Sequence, residues 1–272
     1  MINLRKESFM QKFGWLFCLI CACLCAAGCK APHIAKGAGE PALYIGITPD
    51  YPPLIFRQNK AIAGIEADLV RELAQMLDVS IQFVELPWSE QINALLAGKT
   101  DIIMSGMTIT DARRVRISFS DPWLQLGLMP LVRSKDAEKY GSEEALLNGD
   151  ANLGVQKGST ADAFVNRRYK GVNSITYLDP NDAPFYLVNR KMDVFIHDAP
   201  AVIWMASENE AELAALPRIL TKEMIAWGMR KDDTALRRTV NAALARWRKD
   251  GTMDRILAKW LPLPPELYNV AP

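Results

Sequence analysis

From Pro41 onward, short apolar runs alternate with stretches in which apolar residues recur every three or four positions. The runs at residues 43–47, 81–84 and 101–104 have the length of buried strands. Between them Ile65, Leu69, Val70, Leu73, Met76 and Leu77 share one stripe of a helix over residues 65–77. Residues 90–97 predict a second helix, with Ser89 as its cap and Gly98 as its stop. A second series repeats the plan: strands at 152–155, 174–178 and 194–196, and helices from Gly158-Ser159-Thr160 to Arg168, at 183–190 and at 199–207. Two amphipathic helices, 234–249 (Leu236, Val240, Leu244, Trp247) and 253–260, complete the pattern. Strand–helix alternation predicts the α/β class, and its duplication predicts two similar α/β lobes with mostly parallel sheets.

The first residues follow a different rule. Arg5, Lys6 and Lys12 precede an apolar run over residues 13–27. At about 15 residues it matches a signal-peptide core and falls short of the roughly 20 that span a bilayer. Residues 1–28 are therefore expected to be a signal peptide. Ala26-Ala27-Gly28-Cys29 resembles a lipoprotein signal-peptidase site, which would make Cys29 the lipidated first residue; an ordinary signal peptide followed by a chance cysteine is the other reading. Residues 29–40, small and polar, read as a tether.

Composition narrows the chemistry. Cys18, Cys21, Cys23 and Cys25 lie in the expected signal segment, and Cys29 is the last cysteine of the chain. The body thus has no disulfide framework, cysteine nucleophile or cysteine metal cluster. His33 and His197 are the only histidines, which excludes a His-rich metal site. No metal or cofactor is expected. A net charge of +1 argues against a nucleic-acid partner.

In open α/β sheets ligands sit beyond the carboxyl ends of the strands. Those ends here carry residues 48–51, 87–88, 105–110, 158–160 and 197–198, which two facing lobes would bring to one cleft. Within Ser105-Gly106-Met107-Thr108-Ile109-Thr110-Asp111-Ala112-Arg113, Thr110 reads as a helix cap and Arg113 as a cation near the helix start, where it opposes the dipole. An anionic ligand group would explain Arg113; a surface arginine in a run with Arg114 and Arg116 explains it equally well.

Taken in order, several segments resemble the family 3 solute-binding proteins, the polar amino acid group with the type 2 periplasmic binding protein fold. They are Tyr51-Pro52-Pro53, Gly64-Ile65-Glu66-Ala67-Asp68-Leu69, Trp88, Leu95 to Asp101, Ser105 to Arg113, Phe119-Ser120, Gly154 with Gly158-Ser159-Thr160, Asp193 with Asp198, and Trp247 with Asp250-Gly251-Thr252. The resemblance implies that Arg113 pairs with a ligand α-carboxylate and that backbone N–H groups of Thr108 and Thr160 complete that site. It implies that Asp198 holds the α-ammonium, that Ser105, the Gly106 carbonyl and the Thr108 hydroxyl line the same site, and that Tyr51 and Trp88 sandwich the ligand side chain. Asp198 also reads as a cap for the helix after it. Two hinge strands near residues 131–133 and 224–229 would divide the chain into a first lobe (41–131), a second lobe (132–224) and a return (225–272). Relatives that bind lysine or arginine have an acidic residue where this chain has Thr48; Asp50 is near but in another register, which argues against a basic ligand.

The expected function is that of a monomeric, lipid-anchored amino-acid-binding lipoprotein, in the periplasm or at the cell surface. It would close on its ligand and deliver it to an ABC transporter permease. Two alternatives are a cyclohexadienyl dehydratase-like enzyme, with Glu85, Asp50 or His197 as the general acid, and an amino-acid-sensing lipoprotein.

Overall fold

A computed structural model describes residues 41–147, 151–169, 174–261 and 269–270. The expected signal peptide, Cys29 and the tether through residue 40 lie outside the described residues. The first series runs β1 (Ala42–Ile47), β2 (Asp50–Tyr51), β3 (Ile55–Gln58), β4 (Ala61–Ala63), α1 (Ile65–Leu77), β5 (Ser80–Glu85), α2 (Gln91–Leu96), β6 (Ile102–Ile103), α3 (Asp111–Arg116) and β7 (Ser118–Phe119). The second comprises β8 (Leu124–Leu126), β9 (Leu128–Arg133), α4 (Glu143–Leu147), β10 (Leu153–Val155), α5 (Thr160–Arg168), β11 (Ile175–Tyr177), α6 (Ala183–Val188), β12 (Val194–Asp198), α7 (Ala199–Glu208) and β13 (Leu213–Ala215). The return comprises β14 (Glu223–Ile225), β15 (Gly228–Met229), α8 (Thr234–Asp250), α9 (Thr252–Trp260) and β16 (Asn269–Val270).

Two five-stranded sheets form the cores of two lobes, ordered β5-β1-β6-β15-β7 and β11-β10-β12-β9-β13. Each is built alike. Three strands run parallel, β5-β1-β6 in one and β11-β10-β12 in the other; β15 or β9 then runs antiparallel to them, and β7 or β13, antiparallel to that strand, runs with the first three. Four of the five strands in each sheet thus share one direction, as the sequence pattern predicts, and the exception, β15 or β9, is the strand that enters after a crossing between the lobes. The parallel strands β1, β6, β10 and β12 are almost wholly buried, as strands covered on both faces must be.

The chain crosses between the sheets twice. β8 and β14 belong to neither five-stranded sheet and pair antiparallel with each other. The first crossing is thus at Leu126-Gly127-Leu128, upstream of the expected 131–133. Those three residues lie inside β9, where Arg133 donates to the Leu187 and Met192 carbonyls and pairs with Asp193 at 2.7 Å, all in the second lobe. The boundary after Leu131 would cut β9 in two. At the crossing the chains are close: a Cβ on Gly127 would stand 2.1 Å from the Thr221 carbonyl oxygen and 2.5 Å from Ile219 Cγ2. On the return, α9 is tied to α1 by Lys259–Asp68 (2.6 Å) and Arg255–Glu72 (2.8 Å).

Side chains cap the helices α3, α5 and α8. Thr110 accepts from Arg113 N–H (3.2 Å), Ser159 from Asp162 N–H (3.1 Å) and Asp233 from Leu236 N–H (3.1 Å). Ser89 does not cap. Pro87 leads into a 3-10 turn over Trp88–Glu90 that absorbs Ser89, and α2 starts at Gln91 without a side-chain cap.

Candidate functional site

The loops after β1, β5, β6, β10 and β12 meet between the two sheets around one cavity that opens to solvent. Tyr51, Trp88, Ser105, Gly106, Thr108, Arg113, Thr160 and Asp198 all line it. The structure therefore brings the eight body residues singled out in the sequence to one place. Asp50, Leu128, Gln156, Ser159, Ala161 and His197 complete the lining.

One end of the cavity carries a guanidinium and a helix start. Arg113 lies one turn into α3, and its Nη1 donates to the Thr108 carbonyl at 2.8 Å. Its Nη2 donates to the Gly158 carbonyl of the other lobe at 3.3 Å, and the guanidinium lies 5.1 Å over the Trp88 ring. Trp88 Nε1 donates to the same Gly158 carbonyl at 3.2 Å. Burial lowers the Arg113 pKa while Glu223 and Asp198 raise it; an arginine stays charged throughout. Opposite, α5 opens with Ser159 as cap, and Asp162 Oδ2 accepts from Gly158 N–H at 2.9 Å. The first-turn N–H groups of Thr160 and Ala161 have no acceptor within the helix and belong to residues lining the cavity.

The other end carries a buried carboxyl group. Asp198 terminates β12 and is 7% exposed. Its Oδ2 accepts from the Tyr51 hydroxyl at 2.6 Å, while Oδ1 is buried without a hydrogen-bond partner. Burial, then Glu223, push its pKa up to about 8 against the pull of Tyr51 and Arg113. Burial and Asp198 together raise the Tyr51 phenol well above its usual range. His197 is held neutral: burial pushes it down to about 4, and its Nδ1 accepts from Asp198 N–H at 2.8 Å. Asp198 does not cap α7 with its side chain, which leaves the carboxylate for the cavity.

The Ser105–Thr108 loop is fixed from behind. Gly106 N–H donates to Glu66 Oε2 (2.7 Å), and Trp227 Nε1 to Glu66 Oε1 (3.1 Å). Glu66 is fully buried, and burial raises its pKa to about 8 despite those two donors. Gly106 has φ +63°, and a Cβ there would meet Tyr51 Cε1 at 2.4 Å, so the residue must be glycine for Tyr51 to lie over the loop. Ser105 Oγ accepts from Thr48 N–H (2.9 Å), and Thr108 Oγ1 donates to Glu223 Oε2 (2.7 Å). The Thr108 hydroxyl proton is thus directed to Glu223, leaving the oxygen as an acceptor.

Sequence reasoning passed over Asp50 and Gln156 as ligand-binding residues. Their side chains join across the cleft, Gln156 Nε2 donating to Asp50 Oδ2 at 3.2 Å. Asp50's place beside Tyr51 was the available signal; nothing in the sequence near Gln156 marked it. Glu85, one candidate acid for an enzyme, is outside the cavity lining, half-exposed and paired with Arg57. Among the described residues no group of three or more His, Cys, Asp or Glu could hold a metal ion.

The chain is similar to known proteins over most of its length. The family model described as "Bacterial extracellular solute-binding proteins, family 3" matches residues 43–263. The L-cystine-binding protein TcyJ of Escherichia coli (strain K12) is 25% identical over 223 residues, covering 80% of this chain and 82% of that protein. The histidine-binding periplasmic protein of the same strain is 28% identical over 230 residues, covering 79% and 86%. Among solved structures, a mutant of ArgBP from T. maritima superposes with a TM-score of 0.77 at 30% identity, covering 82% of this chain and 96% of that one.

Proposed function

This chain belongs to the bacterial extracellular solute-binding proteins of family 3, and from that premise we propose that it captures a free α-amino acid between its two lobes. Arg113 and the first N–H groups of α5 take the carboxylate. Asp198 takes the ammonium through its partnerless Oδ1, and Tyr51 and Trp88 flank the side chain. The observation that carries the reading is that a guanidinium from one lobe and a carboxylate from the other line one cavity. A zwitterion then bonds to both lobes only when they are together, so binding favours closure.

The amino-acid-binding relatives support this role, and one is named as periplasmic. Cleavage after Gly28, lipidation of Cys29 and a tether over residues 29–40 would hold the monomer at a membrane surface, where it would hand its solute to an ABC permease. A tagged fatty acid should label the wild-type protein and not Cys29→Ala; label on neither would remove the anchor from the proposal. The alternative of sensing without transport shares the same binding step.

The binding step is tested by calorimetric titration with the common L-amino acids. At least one should bind, and Arg113→Ala, with unchanged circular dichroism, should weaken that binding by about 2–5 kcal/mol. Normal binding by the variant would remove Arg113 from the site.

A further inference from the structure

We propose that Asp50 and Gln156 form a subsite for a positively charged side chain, so that the solute is a cationic amino acid; this rests on the amino-acid reading above. The charges on the cavity wall lead there. One cation, Arg113, faces two carboxyl groups, Asp50 and Asp198. The poles of a zwitterion match Arg113 and Asp198 and leave Asp50 over. His197 does not balance it, because its Nδ1 accepts the Asp198 N–H and the ring is neutral. The surroundings add negative charge: Glu223 sits behind Thr108, and Asp179 of the second lobe faces Asp50.

Geometry agrees with the charge count. Asp50 projects from β2, next to Tyr51, and its side-chain partner is the neutral amide of Gln156. At 3.2 Å that bond is long beside the roughly 2.7–2.9 Å of charge-assisted pairs. With one N–H of Gln156 Nε2 turned to Asp50, the amide oxygen and the carboxyl oxygens remain as acceptors beside a single amide N–H. A donor-rich, charged group at the end of a side chain completes such a pair. Burial, then repulsion from Asp179, push the Asp50 pKa up to about 7, and a bound cation would pull it back down and release a proton near neutrality.

The test compares near-isosteric ligands by calorimetry on the purified protein: L-arginine against uncharged L-citrulline, and L-lysine against L-norleucine. At least one charged member should bind about tenfold or more tightly than its uncharged counterpart. Asp50→Asn should weaken the charged ligand about tenfold or more beyond any change in the uncharged one, so that the preference is lost. Titrations at pH 7 in buffers of different ionisation enthalpy should show more proton release for the wild type than for the variant with the charged ligand, because Asp198 releases its proton on meeting the ligand ammonium in both proteins while only the wild type adds that of Asp50. Equal affinity within both pairs, or equal weakening of charged and uncharged ligands by Asp50→Asn, overturns the subsite. Binding of neutral amino acids alone would overturn it and leave the amino-acid reading standing. If no α-amino acid binds, both fall.

Discussion

Asp198, Glu66 and Asp50 have pKa values raised by burial to about 8, about 8 and about 7, while His197 is lowered to about 4. A carboxyl group whose native pKa lies above its unfolded value holds a proton that the unfolded chain has lost. Its effect is to lower stability as pH climbs from the ordinary carboxylate range to its native pKa. His197 acts the other way, lowering stability as pH falls from 6.5 towards 4. Above pH 6.5 only the carboxyl groups remain in play. The midpoint of thermal unfolding without added ligand should therefore fall between pH 6.5 and about 8, and Asp198→Asn should make the fall shallower; scanning calorimetry at several pH values checks both. The cavity residues differed in how far the sequence revealed them. Arg113, Thr160 and Asp198 stand at helix starts or strand ends with a recognisable motif around each. Gln156 has no such marker, and its partner is 106 positions away. The family pattern pointed to Thr48, whose hydroxyl instead donates to the Leu86 carbonyl and accepts from Gln91 Nε2, both at 2.9 Å.

Elements with long periodic stripes were legible: α1, α8 and α9 follow their apolar spacing to within one or two residues. The two- and three-residue strands β2, β4, β7, β13 and β15 were not, because so few positions establish no period. They exist through pairing with chain remote in sequence, as β15 does with β6 and β7. The first crossing was misplaced for the same reason. A strand that changes sheets looks like any other apolar run, and Leu124 to Arg133 reads as one. At that crossing Gly127 has no room for a methyl group against Thr221 and Ile219. Gly127→Ala should cost about 1–3 kcal/mol by overpacking. Denaturant unfolding should show the loss, and small-angle scattering should show a changed response of overall dimensions to ligand, since the added atom sits where the two connections meet. A substitution with wild-type stability would mean that the connections part freely there.

The two lobes meet along a seam of direct bonds: Tyr51 to Asp198, Gln156 to Asp50, and both Trp88 and Arg113 to Gly158. The seam joins residues from five separate segments of the chain, so the duplicated strand–helix rhythm announced two lobes while their mutual contacts stayed hidden. Trp88 is unusual within it. Its ring edge reaches one lobe while its face lies under a cation of the other. The emission of an indole depends on the polarity and charge around it. A solute that draws Arg113 towards its carboxylate, or tightens the seam, changes both for this ring, while Trp123 and Trp227 stay sealed in the core. Fluorescence should therefore report binding without any attached dye, and Trp88→Phe should silence most of that signal even where calorimetry still detects heat. The molecule would then carry its own optical gauge of occupancy, placed by the same contacts that hold its halves together.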